Sequence, residues 1–167
     1  ILGHNRGEYK YCHPNNHVNL SQSTNDAYPT AVKIALYNSN RNLIAVLTKL
    51  VDSFKRKSEE FAHILKMGRT QLQDAVPMTL GQEFEAYAVT LAEEIERLDQ
   101  NAKLFLEINM GATAIGTGIN TVPGYAELVV RYLRKISGLK VTLSSNLVEA
   151  TQDTGAFVMY SSAVKRL

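Results

Sequence analysis

Between Pro29 and about Ala62 apolar residues return at intervals of three, four and seven, at Leu36, Leu43, Leu47, Leu50, Phe54 and Phe61. A turn of about 3.6 residues puts such positions on one face, so the pattern predicts a single long helix. Pro29 is expected in its first turn, where a missing N–H leaves no bond unmade. The stretch "KMGRTQLQDAVP" breaks the pattern at Gly68 and Pro77. A second helix then announces itself: Thr79 with Gln82 three residues later is a capping box, hydroxyl and amide each serving an end-turn N–H. Phe84, Ala88, Leu91, Ile95, Leu98, Ala102 and Phe105 follow at alternating fours and threes. They predict a helix from about Leu80 to Asn109, roughly 45 Å long at ~1.5 Å per residue. A stripe of this kind is the seam of a helical bundle and reads as core, not as a cofactor site.

"MGATAIGTGIN" is a loop of small residues from Met110 to Asn120. An amphipathic helix is expected from about Pro123 to Ser137, stopped by Gly138, and a last one near Asn146, whose side chain caps while Glu149 sits three residues on. Alternation never extends beyond a few residues and no repeat is visible, so the expected class is all-α. Residues 1–28 then form a loop region preceding the bundle, and residues 29–167 are part of a central helical bundle domain truncated at its C-terminus. Long helices with one narrow apolar seam each need partner helices, which points to a homo-oligomeric bundle. The chain opens at Ile1 and closes on "SSAVKRL" without a stop signal, and is expected to be a piece of something larger.

Composition narrows the function classes. Eighteen basic and 16 acidic residues, net +2, are spread without blocks, so no basic stripe marks a nucleic-acid partner. Cys12 is the only cysteine, which excludes an intramolecular disulfide and fits a reducing, cytoplasmic setting. No apolar run approaches the roughly 18 residues of a membrane span, so no membrane partner is expected.

Chemistry concentrates in polar breaks. "SQSTNDAYPT" lines up Ser23, Thr24 and Asn25 ahead of a helix, where unpaired backbone N–H groups and the dipole already favour an anion. One reading is that Ser, Thr, Asn and Asp merely cap the helix; the other is a binding site, since three in a row exceed what one cap requires and uncharged donors would grip a carboxylate without neutralising it. His13 and His17, four apart beside Cys12, invite a metal reading, but Pro14 and the asparagines argue against a shared helix face and no second ligand cluster appears. "GRTQLQD" offers Arg69 as the carboxylate clamp by its fork geometry. "GATAIGTGIN" lacks the Gly-Lys-Ser/Thr ending of a phosphate loop and follows a helix; its small residues let backbones pass closely. No Ser-His-Asp order or paired-carboxylate spacing stands out.

Taken together, "HPNNHVNLSQSTNDAYPTA", "MGRTQLQDAVPMTLGQEF" and "GATAIGTGIN" resemble, in order and over nearly the whole chain, the first two signature regions and intervening bundle loop of the aspartase/fumarase superfamily. The resemblance implies homotetramers whose long helices pool into one bundle, active sites built from loops of three subunits, and no organic cofactor. It implies reversible anti elimination: a base removes a proton beside the substrate's β-carboxylate, and the resulting aci-carboxylate dianion expels ammonia or water. Ser23, Thr24 and Asn25 would bind the substrate's carboxylate and amino ends, and Thr70 with Gln71 would reach a neighbouring subunit's site, which leaves Arg69 a structural neighbour. His13, Asn15 and Asn16 would match a second, peripheral carboxylate site, with Asn16 where fumarases carry an aspartate. Gln71 stands where fumarases carry histidine, and "STNDAY" departs from their Ser-Ser-Asn-Asp-Thr-Phe. Both features imply the ammonia-lyase branch, acting on L-aspartate to give fumarate; the alternatives are a fumarase-like hydratase acting on malate and a non-catalytic helical scaffold. A neutral amide at position 71 donates a hydrogen bond but trades no protons near neutral pH, so Gln71 is expected to bind. The third signature, whose loop carries the serine base, is not among these residues. No catalytic residue is expected in this chain, the base is expected beyond Leu167, and the piece alone is expected to be inactive.

Overall fold

A computed structural model of the chain describes residues 3–167. Among them the elements run α1 (Thr24–Glu60), β1 (Leu65–Thr70), β2 (Gln73–Thr79), α2 (Leu80–Lys103), β3 (Glu107–Ile108), α3 (Tyr125–Ser137), β4 (Thr142–Leu143), α4 (Leu147–Gln152) and α5 (Gly155–Lys165). The chain is mostly helical, as expected. It divides into two compact units, one of residues up to Leu36 with Leu104–Gly155, the other of Tyr37–Lys103 with Ala156–Leu167.

In the first unit, β3 and β4 pair in parallel, Glu107 beside Thr142 and Ile108 beside Leu143. The amphipathic pattern of α3 presents Val129, Val130 and Leu133 to this ribbon, closing a core of Ile108, Met110, Val130 and Val141. Gly138 stops α3 as expected: at φ 70° it takes the left-handed turn that a Cβ would strain, and its N–H reaches the Arg134 carbonyl at 2.9 Å. Lys33 of α1 is buried, and its Nζ donates to the Glu107 carbonyl at 2.8 Å. Burial pulls the Lys33 pKa below its ordinary value, and the carboxylates of Glu107, Asp153 and Glu149 oppose that shift.

The second unit packs the rest of α1, the β1–β2 ribbon, α2 and α5. Leu47, Val51, Ala88, Leu98, Ala102 and Ala163 are buried, and Phe84 meets Phe54 and Phe61 at centroid distances of 5.9 and 5.3 Å. The α1 seam differs by one position from the sequence reading: Val51 is 5% exposed and Leu50 42%. After Leu47 a straight helix of 3.6 residues per turn favours i+4 over i+3, and the face drifts accordingly. Buried Asn40 is satisfied on both ends, its Oδ1 accepting from Tyr160 Oη at 3.0 Å and its Nδ2 reaching the Leu98 carbonyl at 3.4 Å. Glu94, 2% exposed, pairs with Arg97 and with Arg166 at 2.7 Å.

Three sequence expectations are corrected here. α2 ends at Lys103, not Asn109, because Leu104–Leu106 tighten into a 3-10 turn and the next two residues join β4 as a strand. The break after α1, expected only as an interruption in an all-α chain, is a β-hairpin, with Gly68 at an irregularity between Met67 and Arg69 and Pro77 opposite Met67. A two-stranded ribbon has only edge strands, so Pro77 interrupts no inner ladder. The last helix is also two: Asn146 caps α4 by accepting from Val148 N and Glu149 N at 3.1 Å, but Asp153 turns extended and takes the Gly155 N–H on its Oδ1 at 2.9 Å.

The capping box at α2 is present as read. Thr79 N donates to Gln82 Oε1 at 2.9 Å and Gln82 N to Thr79 Oγ1 at 3.1 Å. Removing the hydroxyl in Thr79→Ala orphans one of these donors and is expected to lower stability by about 1 kcal/mol, measured as a drop in urea midpoint at unchanged m-value.

Candidate active site

The mouth of α1 is organised by a reciprocal cap. Asn25 N donates to Ser23 Oγ at 3.1 Å, while Ser23 N donates to Asp26 Oδ1 at 2.8 Å. This cap starts the helix at Thr24, so Pro29 falls in the second turn and not the first. The consequence is specific: proline has no N–H for the carbonyl four residues back, which is that of Asn25. Asn109 fills the gap, its Nδ2 donating to the Asn25 carbonyl at 3.0 Å and to Thr151 Oγ1 at 3.1 Å. An orphan created inside a helix is thus satisfied from a loop 84 residues away.

Asp26 is fully buried and ties the same two segments. Its Oδ1 accepts from Ser23 N and Ala27 N at 2.8 and 2.7 Å, and its Oδ2 from Gly111 N and Thr113 N at 3.2 and 2.9 Å. Asn25 closes the arrangement by donating Nδ2 to the Ala114 carbonyl at 2.6 Å. The loop so held is strained. Thr113, β-branched, sits at φ 59°, a conformation that costs of order 1–3 kcal/mol and persists only where its surroundings enforce it. The expected close passage of backbones is present at Gly116, where a Cβ would lie 2.3 Å from Val148 Cα.

A cleft of about 450 Å³ opens beside this mouth, lined by Asn19, Gln22, Ser23, Thr24, Ala27 and Tyr28. None of these carries a formal charge. Because Ser23 Oγ already accepts the Asn25 N–H, its remaining capacity toward the cleft includes the hydroxyl proton, a donor suited to a carboxylate oxygen. Gln22 is oriented by donating Nε2 to the Val18 carbonyl at 3.0 Å. Nearby Tyr125 has its pKa raised, first by burial and then by the Asp26 carboxylate, with Gln22 opposing. Ser23 and Thr24 therefore share one cleft, whereas Asn25 is turned to the Ala114 side. Asn19, Gln22 and Tyr28 were missed from sequence; the one legible trace was the polar run "NLSQSTN".

Asn15 and Asn16 lie in a π-helical turn, Pro14–Val18, and His13 is its N-cap. Here the imidazoles act as caps: His13 Nδ1 accepts from Asn15 N and Asn16 N at 3.1 and 3.2 Å, and His17 Nδ1 accepts from His13 N at 2.8 Å. An Nδ1 that accepts puts the neutral ring's proton on Nε2, which is left to donate. The helical turn itself forms despite Pro14, which occupies its first position. Among the described residues no three His, Cys, Asp or Glu side chains group as a metal ligand set, and no helix is long and apolar enough to cross a membrane.

Thr70 and Gln71 belong to the other unit, at the tip of the β1–β2 hairpin. Gln71 at φ 50° and Leu72 at φ 63° both adopt the left-handed region that two-residue hairpin turns demand. Both tip residues are exposed. Arg69 Nε donates to Asp74 Oδ1 across the ribbon at 3.2 Å, a pair on the exposed surface of the hairpin.

Comparison with known proteins fits this geometry to a family. The family model described as "Lyase" matches residues 1–167. The chain is 54% identical over 166 residues to an aspartate ammonia-lyase of Helicobacter pylori, covering 99% of this chain and 36% of that protein. Identity is 57% to that of Pseudomonas aeruginosa, with 99% and 35% covered. Among solved structures, cobalt-bound fumarate lyase:delta crystallin from Brucella melitensis superposes with a TM-score of 0.94 at 54% identity, over 99% of this chain and 36% of that one. A class II fumarase from Schistosoma mansoni gives 0.80 at 31%, over 92% and 36%. The chain thus spans about a third of the length of these relatives, and by the match along its whole length it belongs to the lyase family of the aspartase/fumarase superfamily.

Proposed function

We propose that this chain is the carboxylate-binding part of an aspartate ammonia-lyase, which converts L-aspartate reversibly to fumarate and ammonia. The proton beside a carboxylate is barely acidic, and its removal gives an aci-carboxylate with two negative charges on one group. Donors aimed in advance at that group lower the barrier because they need no reorganisation as charge develops. The observation that carries the reading is the uncharged cleft at the mouth of α1, lined by Ser23, whose Oγ already accepts one N–H and so has its hydroxyl to donate, and by Thr24.

In this reading Ser23 and Thr24 hold a substrate carboxylate. Asn25, its Nδ2 committed to Ala114, keeps Oδ1 as an acceptor for the substrate's ammonium. Thr70 and Gln71, exposed at a hairpin tip, serve the site of a neighbouring subunit, and His13 with Asn15 and Asn16 forms the second carboxylate site. The serine base comes from outside this chain. Val46, Leu50, Tyr87, Val89, Val158 and Met159 are exposed on the helices; in this reading the protein is a cytoplasmic homotetramer whose other subunits cover them.

The test uses the full-length protein containing this chain. Fumarate's ultraviolet absorbance is expected to rise on adding L-aspartate and to fall when ammonia is added to fumarate. Turnover of malate alone would move the assignment to a hydratase, and no turnover of either would leave the scaffold reading.

A further inference from the structure

We propose that Asp26 is a positioning residue for the cleft: through four backbone N–H groups it locks the Asn109–Gly118 loop to the mouth of α1 and so holds Ser23 and Asn25 in their binding geometry. The inference rests on the functional reading above. A residue three past a helix cap needs one carboxylate oxygen for the cap, and Oδ1 does that work on Ser23 N and Ala27 N. Oδ2 contributes nothing to the cap. Both its bonds go to Gly111 N and Thr113 N, 85 and 87 residues away, in a setting with no solvent exposure.

What the loop receives is a conformation it would not adopt alone. Thr113 stands at φ 59°, in a loop that elsewhere uses glycine for positive φ at 111, 116 and 118. A simple connection would be served better by a fourth glycine, because a β-branched side chain resists this backbone. Threonine held there by Asp26 makes the loop stiff, and the next residue, Ala114, supplies the carbonyl that fixes the Asn25 carboxamide. Asn109, bonded to the carbonyl that Pro29 leaves free, is the second clasp between the same segments. Rigidity is therefore transmitted along Asp26, Thr113, Ala114 and Asn25 to the edge of the cleft, where small errors of position cost much binding and rate.

Two variants of the full-length protein separate positioning from mere stability, read by KM for L-aspartate, by the Kd of succinate as an inert dicarboxylate, and by melting temperature. Asp26→Asn places an amide N–H₂ against two of the four N–H groups whichever way it turns. It is expected to raise KM and Kd together by about tenfold or more, in the protein that remains folded. Thr113→Gly removes the strain and keeps the carboxylate, so it folds at least as well. It is expected to raise KM and Kd several-fold while the melting temperature stays level or climbs. If Asp26→Asn lowers the melting temperature with KM and Kd unmoved, or Thr113→Gly leaves both constants at the wild-type value, the positioning role is overturned. A wild type that neither turns over L-aspartate nor binds succinate overturns the functional reading first, and that result is seen before any variant is made.

Discussion

Gly116→Ala is expected to destabilise the unit that holds the cleft by about 4 kcal/mol, a large fraction of an ordinary folding free energy, read as a sharp drop in its urea midpoint. The added Cβ would sit 2.3 Å from Val148 Cα, 2.5 Å from Val148 N and 2.6 Å from the Leu147 carbonyl oxygen. All three are backbone atoms at the start of α4, so no side chain swings aside and the loop or the helix must move. Moving α4 also pulls Thr151 from Asn109, which withdraws a clasp on the Asn25 carbonyl. Gly124→Ala is the control for backbone strain without a clash, since its φ is 79° and nothing lies within 4 Å of the new Cβ. That variant is expected to lose only about 1–2 kcal/mol. Equal losses in the two variants would refute the close-approach argument.

Ser23→Ala is expected to reduce kcat/KM for L-aspartate by about 100- to 1000-fold in the full-length enzyme, the range seen when one preorganised donor to a developing oxyanion is removed. The same substitution removes a helix cap, because Ser23 Oγ accepts the Asn25 N–H, and about 1 kcal/mol of stability goes with it. Ser23→Gly separates the two effects. Glycine at a cap costs only a few tenths of a kcal/mol but offers no hydroxyl. It is therefore expected to restore most of the melting temperature and none of the activity. Recovery of activity in the glycine variant would mean that the serine matters as a cap and not as a donor.

Much of the local structure was legible because it depends on residues close in sequence. The Thr79–Gln82 box, the Asn146 cap and the Gly138 stop each join partners within four positions, and local hydrogen bonding decides them whatever surrounds them. The helical seams were legible for a similar reason, and the slip from Leu50 to Val51 shows the limit: period alone leaves the exact face open by one residue until something packs against it.

Ser23, Thr24 and Asn25 were legible as a group, but their separate duties were not. Their residue types establish a dense, uncharged donor set ahead of a helix. Only long-range pairing decides that Asn25 turns to Ala114 while Ser23 faces a cleft with Asn19, Gln22 and Tyr28. The hairpin was invisible because Gln71 and Leu72 carry no turn signature; cross-strand pairing from Leu65–Thr79 to Thr70–Gln73 holds them at positive φ. α2 likewise ends where β3 finds β4, a partner more than 30 residues later.

By itself, then, the order of residues determined that long helices form, the caps of α2 and α4, the stop of α3 and the chemical character of the polar break, since each follows from neighbours within a turn or two. The tertiary structure alone decided where α1 begins to matter. Pro29 leaves a carbonyl without its helical donor, Asp26 has an oxygen to spare beyond its cap, and the partners of both lie in a loop more than 80 residues away. Buried polar groups must be satisfied by whatever the fold brings within reach, and that reach is a property of the packed chain.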